Sequence, residues 1–352
     1  MTYDAILMVS FGGPEGMDDV MPFLENVLRG RNVPRERMLE VARHYEQFNG
    51  VSPINEQNRT LIWALESELT EHELNMPIYW GNRNWHPMLP DVVQQMADDG
   101  VERALAFFTS MFSCYSGCRQ YRENIYDAQE KVGLNAPIVD KIRMGYNHPG
   151  FIQANVDHVR AALDQIPTER RRKAHLVFTA HSIPLAQAQN CRYVEQLTES
   201  SRLVAEAVAD TVANTSVRDN WQLVYQSRRG PPQMPWLEPD ICDHLKSLPD
   251  GGVQDVVVLP IGFISDHMEV IFDLDTEAQE VADAIGLNLV RAASVGTHPA
   301  FVGMIRELIT ERMSDAPKRR AIGKYGPNHD VCPANCCLSG RPVSVRPAAA
   351  QM

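Results

Sequence analysis

One phrase recurs along this chain and limits what it can fold into. A short run of β-branched or apolar residues is closed by Gly, Ser, Pro or His and followed by a longer amphipathic stretch. The runs are Ala5 to Val9, Pro77 to Trp80, Arg103 to Phe108, His175 to Thr179, Gln222 to Tyr225, Val253 to Pro260 and Leu287 to Arg291, each separated from the next by enough chain for a helix. Strands alternating with helices form parallel sheets covered on both faces. The expected fold class is therefore α/β.

The runs fall into two halves, separated by the helical pattern Phe151 to Ile166 and the charged stretch from Glu169 to Lys173. The pattern predicts two Rossmann-like lobes, residues 1–164 and 165–315, with a tail over 316–352. That tail is rich in Pro, Gly, Ala, Asn and Cys and too poor in large apolar residues to pack alone. It is expected to be disordered, or pinned by something covalent or metallic.

Charge excludes several partners. With 33 Lys+Arg against 45 Asp+Glu, a formal −12, the chain has no nucleic-acid footprint and no polybasic grip on anionic lipid. The best apolar stretch, Val256 to Ile264, is interrupted by Pro260 and falls short of the roughly 18 residues a membrane span needs. The start, Met1-Thr2-Tyr3-Asp4, has an acid where a signal peptide is basic, so the chain is expected in the cytoplasm. Seven cysteines, five of them in the windows Cys114/Cys118 and Cys332/Cys336/Cys337, suit thiols or a metal site better than disulfides. Cys191 and Cys242 fall in helical contexts and read as small core residues.

In such sheets ligands bind beyond the carboxyl ends of the strands, so the residues after each run carry the functional signal. Ser10-Phe11-Gly12-Gly13-Pro14 follows the first run and lets backbone approach a ligand, but the G-x-G-x-x-G spacing of a dinucleotide site is absent. Ala180-His181-Ser182-Ile183-Pro184 follows the fourth. Ile261 to Glu269 follows the sixth and leads into an acidic row: on a helix, Asp266, Glu269, Asp273 and Glu277 step by three, four and four along one face. One imidazole facing one carboxylate, backed by further acids, suits a divalent first-row cation held briefly and can also accept protons.

The windows Ser10 to Pro14, Leu28-Arg29-Gly30-Arg31, Gly50-Val51-Ser52-Pro53-Ile54-Asn55, Thr179 to Pro184, Tyr225-Gln226-Ser227, Pro235 to Asp240 and Pro260 to Glu269 together resemble the ferrochelatases, which insert ferrous iron into a porphyrin in haem synthesis. The resemblance covers nearly the whole chain. It implies a porphyrin cleft between the lobes, with His181 and Glu269 at the iron and with Ser52 and Tyr121 meeting the porphyrin. Arg29, Arg31 and Tyr45 match positions near the propionates, where cations make physical sense because propionates are carboxylates. Some bacterial relatives carry a tyrosine where this chain has Phe11, so a tyrosinate ligand is excluded there, although Phe11 can press on the macrocycle. Asp266, Asp273 and Glu277 would form an acidic conduit. Whether His181 or Glu269 takes the pyrrole proton stays open.

The resemblance to the actinobacterial type favours coproporphyrin III, with protoporphyrin IX as the other candidate. It also brings in a [2Fe-2S] cluster, held in some ferrochelatases by one internal and three C-terminal cysteines. Here those are Cys114, with Cys118 as runner-up, and Cys332, Cys336 and Cys337. Tetrahedral zinc or free thiols are the alternatives. Rival functions are a non-catalytic haem or porphyrin carrier and a chelatase for another metal and tetrapyrrole. Expected partners are the porphyrin, ferrous iron and, transiently, neighbouring enzymes of the haem pathway.

Overall fold

In a computed structural model, residues 2–30, 33–211, 218–230 and 233–340 are described. Eight parallel strands form two four-stranded sheets: β1 (Ala5–Ser10), β2 (Ile78–Asn82), β3 (Arg103–Phe108) and β4 (Ile138–Lys141), then β5 (His175–His181), β6 (Trp221–Gln226), β7 (Asp255–Leu259) and β8 (Asn288–Arg291). The orders β2-β1-β3-β4 and β6-β5-β7-β8 are the same arrangement used twice. Seven strands coincide with the runs read from sequence. The eighth, β4, escapes that reading because it offers only Ile138 and Val139 before Asp140 and Lys141. Its polar half is held by distant chain: Asp140 accepts from Arg103 and Tyr3, and Lys141 donates to the His329 carbonyl at 3.2 Å.

The period of two in a strand explains how the halves are joined. On β1, Ala5, Leu7 and Val9 face a core private to the first sheet, while Ile6 and Met8 face a second core. On β5, Val177 faces a core private to the second sheet, while Leu176, Phe178 and Ala180 enter the same core as Ile6 and Met8. One apolar layer is thus common to both lobes. Helices cross it. Pro149–Leu163, which follows β4, packs on β7 and β8, and Pro299–Met313, which follows β8, packs on Ile54–Glu71 of the first half. The crossing is pinned by two ion pairs, Arg306 Nε to Glu68 Oε1 at 2.7 Å and the buried bidentate pair of Arg143 with Glu311 at 2.7 and 2.9 Å.

The first part of the tail is held to the body by hydrogen bonds from buried side chains. Asn147, fully buried, donates its side-chain amide to the carbonyl of Tyr325 at 2.8 Å and accepts from the Ile322 amide at 3.0 Å. Arg143 donates to the Arg320 carbonyl, Asn328 to the Ser113 hydroxyl, and Arg119 to the carbonyls of Ala334 and Cys336. Composition could not reveal this, because the anchors are buried polar side chains more than a hundred residues away. No helix among the described residues is long and apolar enough to cross a membrane.

Candidate active site

Each sheet reverses its strand order at its first strand, so a crevice opens beyond the carboxyl ends of β1 and β3 and another beyond β5 and β7. Phe11 follows β1 and Tyr121 lies on the helix after β3; His181 ends β5 and Glu269 follows β7. The two crevices face each other across a contact made by Val20, Phe23, Leu24, Ala42 and Tyr45 of the first lobe with Met268 and Phe272 of the second. His44 stacks on Phe272 with centroids 4.1 Å apart, and the Met268 amide donates to Ser52 Oγ at 3.3 Å.

At the centre, His181 Nε2 lies 3.8 Å from Glu269 Oε2. His181 Nδ1 is 2.5 Å from the Ser182 carbonyl, which can only accept, so Nδ1 carries the proton and Nε2 presents a lone pair. Two acceptors therefore face each other with room for a cation or a proton between them. Burial pushes His181 down to about 4 and, with help from the charge of Arg229, keeps its ring neutral at pH 7. Neighbouring His267 is pushed down to about 3 by burial, and by His181 and Arg229; its Nδ1 accepts from the Val270 amide and caps the helix carrying Glu269.

That helix starts at Met268, opens into a π-helical segment over Ile271–Ala278 and closes as Gln279–Ala284. Wide π turns recur at functional sites. Glu269, Asp273 and Glu277 run along it from partly buried to exposed. Burial raises the Asp273 carboxyl although Ser227 and Gln226 donate to it, and Glu277 is raised by burial and then by Asp273 and Asp240. Asp240, which caps Ile241–Ser247, joins this acidic set and lines a cavity of about 480 Å³ with Ser182, Tyr225 and Arg228. Asp266 leaves the row expected from spacing. It precedes the helix and is taken up by Arg291 at 3.1 and 3.2 Å and by Ser294 at 3.0 Å.

The other expected residues divide. Phe11 is 37% exposed and packs edge-on against Phe23. Tyr121 is buried beneath Arg83, whose guanidinium lies 4.6 Å from its ring. Tyr45 is buried, and its hydroxyl is raised to about 12. Arg29 is exposed and bonded to Asn26; Arg31 lies outside the described residues. Sequence reasoning missed Arg229, which pairs with Glu269 Oε1, and Arg83, which bridges Phe11 and Tyr121. Neither carries a periodic signal.

A ferrochelatase family model matches residues 3–313. The chain belongs to the ferrochelatase family. Among its relatives, a ferrochelatase of Rhodopirellula baltica is 56% identical over 97% of both chains. A coproporphyrin III ferrochelatase of Streptomyces griseus is 51% identical over 99% of this chain and 96% of its own. The fold is shared with the solved sirohydrochlorin chelatase SirB of Bacillus subtilis in complex with cobalt, at TM-score 0.51 and 11% identity over 89% of this chain and 98% of that one.

Away from the cleft, this ferrochelatase chain gathers its cysteines. The thiols of Cys118 and Cys336 interact with Cys332, Cys336 Sγ lies 3.4 Å from Cys337 Sγ, and His329 Nε2 is 3.8 Å from Cys336 Sγ. Ligand atoms of His329, Cys332 and Cys336 all lie within 4.8 Å of one another. Cys337 has φ 56°, the left-handed turn that lets adjacent thiols converge. Hydrogen bonds from Cys118 and Cys336 lower Cys332, and one from Cys336 lowers Cys337, with Lys141 adding to both. Cys114 is buried and raised to about 11, and its sulfur accepts from the Gly117 amide. The resemblance gives Cys114 as the internal position with Cys118 as runner-up; of the two, Cys118 is the one whose thiol interacts with Cys332.

His148, His181 and His267 hold folded values of about 3 to 4, against about 6.5 in an unfolded chain. Between pH 6.5 and 4 the unfolded chain binds more protons, so the stability these neutral rings contribute is complete above that window and is lost as pH falls through it. Thermal unfolding midpoints should drop between pH 6.5 and 4, less steeply in a His148→Gln variant. An equal slope in that variant would remove His148 from the account.

Proposed function

We propose that this chain inserts ferrous iron into coproporphyrin III with release of two protons, a late step of haem biosynthesis. Support for that porphyrin over protoporphyrin IX comes from relatives named coproporphyrin III ferrochelatases at 50–51% identity. The single observation that carries the chemistry is the facing pair of acceptors, neutral His181 and Glu269. A porphyrin carrier has no use for such a proton-accepting pair backed by acids.

In this reading the macrocycle lies between the two crevices, with Phe11 against one face and His181 and Glu269 toward the other. Tyr121 with Arg83 and Ser52 border the ring, while Arg29 and Tyr45 lie toward its carboxylates; the role of Arg31, outside the described residues, rests on the resemblance alone. Enclosure by both lobes strips water from the iron and bends the ring, exposing its nitrogen lone pairs. His181 Nε2 and Glu269 Oε2 receive the iron and the pyrrole protons; Asp273, raised by burial, takes protons onward to Glu277 and Asp240. Asp266, held by Arg291, serves as a structural anchor. The lobes are assigned to 1–164 and 165–315, with the tail from 316, and the enzyme is placed in the cytoplasm.

The thiol group is proposed to hold a [2Fe-2S] cluster through Cys332, Cys336, Cys337 and an internal cysteine. A thiol-rich donor set beside Lys141 fits such a group, which would add a further tie between tail and body. Transient contact with adjoining pathway enzymes belongs to the same proposal.

His181→Ala should lower the metallation rate by about 10²–10⁴-fold while porphyrin binding, followed by fluorescence quenching, persists; a near-normal rate would remove His181 from the reaction. For the cluster, visible absorbance and acid-labile sulfide of anaerobically purified protein should be abolished by Cys118→Ser and kept by Cys114→Ser. The reverse result would return the internal position to Cys114, and an absence of both signals in the unaltered protein would end the cluster reading.

A further inference from the structure

The cation opposite Glu269 is unexplained by metal insertion alone. Arg229 belongs to the segment between β6 and Ile241–Ser247, and its guanidinium pairs with Glu269 Oε1 while Oε2 faces His181. Its charge is felt on both sides of the cleft, at His44 and Tyr45 of the first lobe and at His181, His267 and Asp273 of the second. Its pairing with Glu269, which faces His181, places it at the cleft.

The base of this side chain is fixed. Ser227, with φ 58°, ties the segment to Asp273 through its hydroxyl. Gly230, with φ 123°, runs where a Cβ would stand 3.2 Å from Trp236. The side chain itself is partly exposed, at 42%, so an incoming carboxylate can reach its guanidinium.

Resting on the reading above, we infer that Arg229 is a positioning residue that imposes an order on the two substrates: it keeps Glu269 occupied until a porphyrin carboxylate draws the guanidinium away, and only then does the site accept iron. The physics is direct. A divalent cation placed between Nε2 and Oε2 is repelled by a guanidinium on the same carboxylate, and the low dielectric of an enclosed cleft strengthens that repulsion. A porphyrin propionate offers the guanidinium another carboxylate partner, so the guanidinium stays paired while Glu269 is left with a negative charge for iron to neutralise. Iron then finds Glu269 with both oxygens free. The device keeps ferrous iron off the protein when no porphyrin is there to receive it.

The test uses cobaltous ion as a probe of the cleft in the full-length protein without porphyrin, reading its visible absorption. Each titration is paired with the same protein carrying Glu269→Gln, so that binding at the cysteines cancels. Arg229→Ala should bind cobalt at the cleft about tenfold or more tightly than the unaltered protein, and Arg229→Lys should resemble the unaltered protein because the charge is kept. In steady-state metallation, Arg229→Ala should lower the KM for iron and lose the dependence on order of addition. Circular dichroism of the lysine and alanine variants reports that both are folded; if alanine does not fold, Arg229→Gln takes its place. Equal cobalt affinities in a protein that still metallates porphyrin would overturn the role of Arg229 alone. Failure of the unaltered protein to metallate any porphyrin would instead overturn the reading on which it rests.

Discussion

The apolar layer common to both sheets is the constraint on which the rest depends. Because Ile6, Met8, Leu105 and Phe107 bury against the same core as Leu176, Phe178 and Val257, neither lobe can rotate without exposing its inner face. At roughly 25 cal/mol per Å² of buried apolar surface, exposing several such side chains costs many kcal/mol. The exchanged helices reinforce this, since each ends one half of the chain and packs on the other. The two switch-point crevices are therefore fixed face to face. His181 and Glu269 arise on one side, and Phe11 and Tyr121 on the other.

Within that frame the electrostatics are arranged against charge at rest. The imidazoles of His181 and His267 are held neutral, Asp273 and Glu277 are biased toward protonation, and the Glu269 carboxylate is balanced by Arg229. A site in that condition has lone pairs to offer and little net field until a cation arrives. The π-helical segment spreads the acids from the partly buried pair to the surface, the arrangement on which the proposed outward proton path rests.

Much of this was legible in the sequence because the signals are local. Runs such as Ala-Ile-Leu-Met-Val-Ser are buried on both faces and so lack alternation, and the residues that follow β5 and β7 are the ones that reach the cleft. What escaped depends on partners distant in the chain. β4 is half polar because Asp140 and Lys141 find Arg103 and the tail. Asp266 left the acidic row because the helix begins two residues later and Arg291 claims it. Arg229 looks like one more surface arginine until its partner, forty residues on, is placed beside it, and the tail looks unfoldable until Asn147 and Arg119 supply its hydrogen bonds.

The central claim is that the pair His181 and Glu269 metallates a porphyrin lying between the crevices. Its most direct test is an anaerobic absorbance time course of the purified protein with ferrous iron, run beside each other with coproporphyrin III and protoporphyrin IX and repeated with Glu269→Gln. The account predicts conversion of the coproporphyrin spectrum to its iron form, faster than for protoporphyrin and lost in the variant. Tight porphyrin binding with no metallation by the unaltered protein would contradict it.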